Sequence, residues 1–153
     1  MASKFKRKAG PVKSKKVVYK GVQLSSGLEK AMYIALENAN IEFEYEKTTY
    51  ELIPSFHFEN DSFERQSNGK GDMIKRGNKK VLNIKYTPDF EGEDFIIETK
   101  GRANDSFPLR WKMFKKHLKD NNINKALYKP QCQRECSETI RIILEKRQKL
   151  KDQ

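Results

Sequence analysis

Tyr86-Thr87-Pro88-Asp89-Phe90-Glu91-Gly92-Glu93-Asp94-Phe95-Ile96-Ile97-Glu98-Thr99-Lys100-Gly101 reads as a strand, a short acidic turn and a second strand. Side chains alternate faces along a strand, so Glu98 and Lys100 share one side while Phe95 and Ile97 face a core on the other. With Glu93-Asp94 as the loop, Asp89 lies directly opposite Glu98, about 5 Å away between Cβ atoms. Phe90 then pairs with Ile97 on the core side, which favours this register. A slip of one residue would turn Asp89 to the opposite face. Two carboxylates and a lysine therefore meet at one point of a sheet. Such a group can hold a divalent metal and activate a water; otherwise it is a hairpin face with an ordinary ion pair.

The surroundings of the hairpin are strongly basic. The chain has 153 residues, 36% hydrophobic and 35% charged, with a formal net charge of +11. This length suits one domain with a modest core. A basic excess of this size points to a polyanion, most often nucleic acid. No apolar run is long enough to span a membrane, and the charged N-terminus lacks a signal-peptide pattern, so the expected location is the cytosol. Cys132 and Cys136 with the distant His57 and His117 make a poor zinc set and read as reduced structural cysteines.

Much of the positive charge lies in residues 1–20, where Lys4, Lys6, Arg7, Lys8, Lys13, Lys15, Lys16 and Lys20 occur without acids. This segment reads as a basic flexible arm, either a solubilising tail or a set of phosphate contacts. Residues 21–153 read as a single domain. Ser26-Gly27-Leu28-Glu29 has the form of a capping box, followed by the helical stripe Leu28, Ala31, Met32, Ala35, Leu36 and Ala39. Phe43 to Ile53 reads as one strand, and residues 54–80 as an inserted loop or loose hairpin with a turn at Ser67-Asn68-Gly69-Lys70-Gly71. Ser106 and Pro108 open a second helix with Leu109, Trp111, Phe114 and Leu118 inward. Lys125 to Tyr128 suggests a short strand. Ser137 to Leu150 suggests a last helix with Ile140, Ile143 and Leu144 inward. The order implies an α/β domain with a mixed sheet flanked by helices.

Pro88-Asp89 and Glu98-Thr99-Lys100 resemble the two halves of the PD-(D/E)xK nuclease motif. With Ser26-Gly27-Leu28-Glu29 and Ile41-Glu42-Phe43-Glu44-Tyr45-Glu46 upstream, residues 25–101 are similar to the phage endodeoxyribonuclease I family of Holliday-junction resolvases. The resemblance implies a restriction-endonuclease-like fold. It implies Asp89 and Glu98 as metal ligands, the Thr99 carbonyl beside them, Glu29 as a third carboxylate and Lys100 as the residue that orients the attacking water. It further implies Mg²⁺ or Mn²⁺, a homodimer, branched DNA as substrate, 5′-phosphate and 3′-hydroxyl products, and a host-cell cytoplasm if the chain is phage-encoded. The inserted residues 54–80 lie near the place where this family exchanges segments between subunits.

Glu29 also has a purely structural reading as the acidic partner of the capping box. Lys30 and Arg102 flank the motif and could touch phosphate or simply be solvated. Two other functions stay open beside the resolvase: a nuclease of the same superfamily with a nicking, mismatch or transposition-type target, and a non-catalytic basic nucleic-acid-binding phage protein.

Overall fold

The computed structural model describes residues 14–76, 79–104 and 106–153. The elements run in chain order as β1 (Val17–Tyr19), β2 (Val22–Leu24), α1 (Gly27–Asn38), β3 (Glu44–Tyr45), β4 (Tyr50–Ile53), β5 (Phe56–His57), β6 (Phe63–Glu64), β7 (Ile74–Lys75), β8 (Lys80–Val81), β9 (Ile84–Tyr86), β10 (Phe90–Glu91), β11 (Phe95–Ile97), α2 (Phe107–Asp120), β12 (Ala126–Tyr128) and α3 (Gln133–Lys151).

The central sheet has the order β12-β11-β10-β3. β10 pairs antiparallel with both β3 and β11, whereas β11 runs parallel to β12, so the sheet is mixed. Phe90 pairs with Ile97 and Glu91 with Ile96, the register expected for a Glu93-Asp94 loop. Gly92 is required in this turn, because an added Cβ would lie 2.3 Å from the Phe95 ring.

β11 is buried on both faces. Phe95 and Ile97 pack with Phe90, Met32 and Leu36 of α1, and Cys136 and Ile143 of α3. Ile96 packs the other way, with Phe107, Trp111, Phe114 and Leu118 of α2 and with Tyr50 and Tyr86. Helices thus cover both sides of the sheet. The unbroken Phe95-Ile96-Ile97 run is the pattern of a strand enclosed from both sides.

Several local expectations change. Lys20 does not belong to a flexible arm: Lys20 and Gly21 form the turn of the β1–β2 hairpin, both with positive φ (47° and 79°). That geometry matches a tight hairpin turn between twisted strands. Lys4, Lys6, Arg7, Lys8 and Lys13 lie outside the described residues. The expected strand over residues 43–53 is two strands, because Glu46 takes φ 45° and breaks the extended run. Ser106 makes no side-chain cap; Asn104 Oδ1 accepts from the Phe107 amide instead, at 2.9 Å. Leu109 and Leu144 are exposed, and the inward positions are taken by Phe107 in α2 and by Cys136 and Thr139 in α3.

Residues 50–86 form one long excursion in three short antiparallel ladders: β4–β9, β5–β8 and β6–β7. The inserted segment is thus a hairpin extension whose base carries Tyr50 and Tyr86 into the α2 core. Among the described residues, no helix is long and apolar enough to cross a membrane.

Candidate active site

Carboxylates are rarely buried, because removing an ionised oxygen from water is costly unless it is paired. Among the described residues the buried acids are Glu29, Asp89 and Glu98, with relative exposures of 6%, 9% and 5%. They are the acids that the motif selects.

Asp89 stands just before β10, opposite Glu98 by extension of the Phe90–Ile97 pairing. The amides of Glu98 and Lys100 turn toward the β12 side, bonding the carbonyls of Tyr128 (3.0 Å) and Pro130 (2.9 Å). The amide between them, on Thr99, must point the other way. There it meets Asp89 Oδ2 at 2.6 Å, and the Thr99 hydroxyl reaches the same oxygen at 2.6 Å. The Asp89 side chain thus occupies the place of a ladder carbonyl.

Glu98 is held from two sides. Tyr86 OH donates to Oε2 at 2.6 Å, and Lys100 Nζ donates to Oε1 at 3.0 Å. Lys100 Nζ also sits 4.5 Å from the centroid of the Phe107 ring, where α2 begins. Glu29 lies in the first turn of α1, whose N-cap is Ser26: the Glu29 amide donates to Ser26 Oγ at 3.1 Å. Its carboxylate accepts from the Ser25 amide at 2.7 Å and from Tyr45 OH at 2.6 Å. The reciprocal bond of the cap therefore goes to Ser25, one residue before the position a capping box predicts.

The acids feel one another. Burial and the Glu98 charge push Asp89 up to about 7; the Thr99 hydroxyl opposes this and the Glu29 charge reinforces it. Burial, Glu29 and Glu98 also raise Glu46, whose amide bonds the Asp89 carbonyl at 2.9 Å. Glu46 is a fourth acid at the site. Burial and the Glu98 charge hold the Tyr86 phenol far above its usual range, so it remains a donor.

Among the described residues, no group of three His, Cys, Asp or Glu side chains is gathered tightly enough to cage a metal directly. Glu29 turns to Tyr45, Asp89 to Thr99 and Glu98 to Tyr86 and Lys100. The donor set still suits Mg²⁺, which takes hard oxygen ligands and keeps several waters. The raised Asp89 carboxyl reflects its burial first and the nearby Glu98 charge second, both of which a bound cation would counter.

The basic residues divide. Lys15 and Lys16 are exposed ahead of β1. Lys20 is ion-paired to Glu37 at 3.0 Å. Lys30 Nζ lies 5.6 Å from the Tyr19 ring centroid, and Arg102 is exposed in the loop after Gly101.

Four contributors escape a reading of the motif alone. Tyr45, Glu46 and Phe107 arrive through β3–β10 pairing and helix packing, which have no local signal. Tyr86 has one: it lies just ahead of Thr87-Pro88-Asp89.

The chain belongs to the family described as "Protein of unknown function (DUF1064)", whose match runs over residues 10–131 and so includes all of these residues. No curated protein and no solved structure matches the chain.

Proposed function

We propose that this member of the DUF1064 family is a metal-dependent DNA endonuclease of the PD-(D/E)xK type that cleaves branched DNA, as a Holliday-junction resolvase does. The observation that supports it most is that the buried acids are the motif acids Asp89 and Glu98, the latter paired with Lys100, together with Glu29, the third carboxylate that the resemblance implies. The mixed sheet with helices on both faces suits a restriction-endonuclease-like core.

Asp89 and Glu98 would hold Mg²⁺ or Mn²⁺, with the Thr99 carbonyl and Glu29 beside them. When bound, the ion would polarise the scissile phosphate and acidify a water. The chain's own groups do the rest. Thr99 fixes Asp89 through two hydrogen bonds, and Tyr86 fixes Glu98. Lys100 orients the attacking water and offsets charge building on the phosphate oxygens. The P–O3′ bond breaks, leaving a 5′-phosphate, and the 3′ oxygen takes a proton. Symmetric nicking of a junction needs two such sites, hence a homodimer. The exposed Lys15, Lys16 and Arg102, with Lys30, would contact phosphates.

The test is incubation of the protein with Mg²⁺ and either a four-way junction or a matched linear duplex. Paired nicks confined to the junction, abolished by Lys100→Ala while DNA binding survives, are expected. Cleavage undiminished in Lys100→Ala would remove the catalytic assignment.

A further inference from the structure

The hairpin of residues 50–86 carries a feature that the acidic site does not use. A two-stranded ribbon buries little in water, yet this one displays Phe56 and Phe58 at 47% and 41% exposure. Phe56 pairs with Val81, and the Phe58 amide bonds the Lys79 carbonyl at 3.4 Å. Phe56, Phe58, Val81 and Lys79 therefore share one face of the ribbon. They line a concavity of about 720 Å³ that also takes in Arg65 and Arg76. The acid lining it is Glu64, whose carboxylate already accepts from the Ser62 hydroxyl at 2.7 Å. The site thus offers two partly exposed phenyl rings and, as cations, Arg65, Lys79 and Arg76, whose Nε also donates to the Glu64 carbonyl at 3.0 Å.

An apolar protein partner would cover the rings but would desolvate three cations without return. A nucleotide uses both parts: a base stacks on an aromatic face while its phosphate meets arginine or lysine. A base inside a duplex has both faces occupied by neighbouring pairs, so only an unpaired base can enter. We infer that this concavity binds an unpaired nucleotide of DNA, with the base on Phe58, which stands across the ribbon from Lys79, and the phosphate among Arg65, Arg76 and Lys79. The inference rests on the DNA-nuclease reading and adds to it the part of the substrate that the ribbon takes: the unstacked base at a strand branch or single-stranded end.

The test uses the full chain without Mg²⁺, so that no cleavage enters the readout. Affinities are measured for a single-stranded oligonucleotide and for the matched duplex. Phe58→Leu, which keeps apolar bulk but loses the ring, should weaken single-strand binding by roughly five- to 150-fold, the usual range for one stacked base. Duplex affinity should not change. Phe58→Trp should retain single-strand affinity, and its indole fluorescence should be quenched by the oligonucleotide. Trp111, the one native tryptophan, is carried by α2 and buried in the core with Tyr86 and Ile96, so quenching by the oligonucleotide reads the added indole. Equal losses on both DNAs, no loss, or an unquenched indole would overturn the assignment. So would unchanged oligonucleotide binding with a shift in oligomeric state, which would give the face to a second copy of the chain. If the wild-type protein cleaves no DNA with Mg²⁺, the nuclease reading fails while the single-strand result stands or falls separately.

Discussion

Thr99 gives both its amide and its hydroxyl to one oxygen of Asp89, each at 2.6 Å. These bonds oppose the burial and the Glu98 charge that drive the Asp89 carboxyl toward its neutral form. Thr99→Val removes one of them and nearly keeps the shape. A lost hydrogen bond to a charged acceptor costs about 1.5–3 kcal/mol. Asp89 should become harder to ionise, and the acidic limb of the cleavage pH profile should move to higher pH. Thr99→Ser should restore it. A profile identical in all three proteins would show that the hydroxyl does not govern Asp89.

Asp89 also sets a pH dependence of stability. Its ordinary value is 3.8 and its folded value is about 7. Between those limits the folded state keeps a proton that the unfolded chain has released, so the metal-free protein loses stability as pH rises through the window. The full loss, present above the folded value, is on the order of 1–4 kcal/mol. Asp89→Asn cannot ionise. It should raise the Tm of the metal-free protein by several degrees at pH 8 and change it little at pH 4, where the wild-type group is already neutral. Thermal melts at the two pH values measure this directly.

Tyr86→Phe takes away the donor on Glu98 Oε2 and leaves the ring in the α2 core. With Glu98 less firmly placed, half-maximal cleavage should need about tenfold more Mg²⁺, equivalent to about 1.4 kcal/mol. A Mg²⁺ titration indistinguishable from wild type would free Tyr86 of any positioning role.

Lys15, Lys16 and Lys20 should behave differently toward DNA. Lys15 and Lys16 are exposed, whereas Lys20 is tied to Glu37. Replacing both Lys15 and Lys16 by alanine should flatten the plot of log affinity against log salt by about 1.8 if each meets a phosphate. Lys20→Ala should leave that slope unchanged. Equal effects from all three lysines would mean that the Glu37 pair opens on binding.

The hairpin register was legible because three signals agree on it: alternation, the short loop and the pairing of Phe90 with Ile97. The start of α1 was legible for a similar local reason, since Ser26 and Glu29 carry the cap between them. Covering of β11 from both sides was harder to see. Ile96 faces α2, yet the two halves of that contact are separated by a loop whose length says nothing about its path. Glu46 has no local signal because it reaches Asp89 beside the β3–β10 pairing, a non-local event, and because φ 45° at a glutamate is uncommon. Lys20 departs from the expected arm because its charge carries no trace of the strand–turn–strand pattern of Val17 to Leu24. Residues 54–80 gave a clear turn but no apolar periodicity, so their ladders were not separable from a loop.

Glu29 links two regions that otherwise have no reason to communicate. Its carboxylate anchors the Ser25 amide, the first residue after the β1–β2 hairpin, and also receives the Tyr45 hydroxyl. Both donors meet Oε2, so a swing of that oxygen toward a cation would let go of them. If Oε2 takes part in holding the proposed ion, binding that ion and fastening the root of the N-terminal hairpin are rival states of one oxygen. Hydrogen exchange at the Ser25 amide would then be a remote gauge of ion binding at the proposed site.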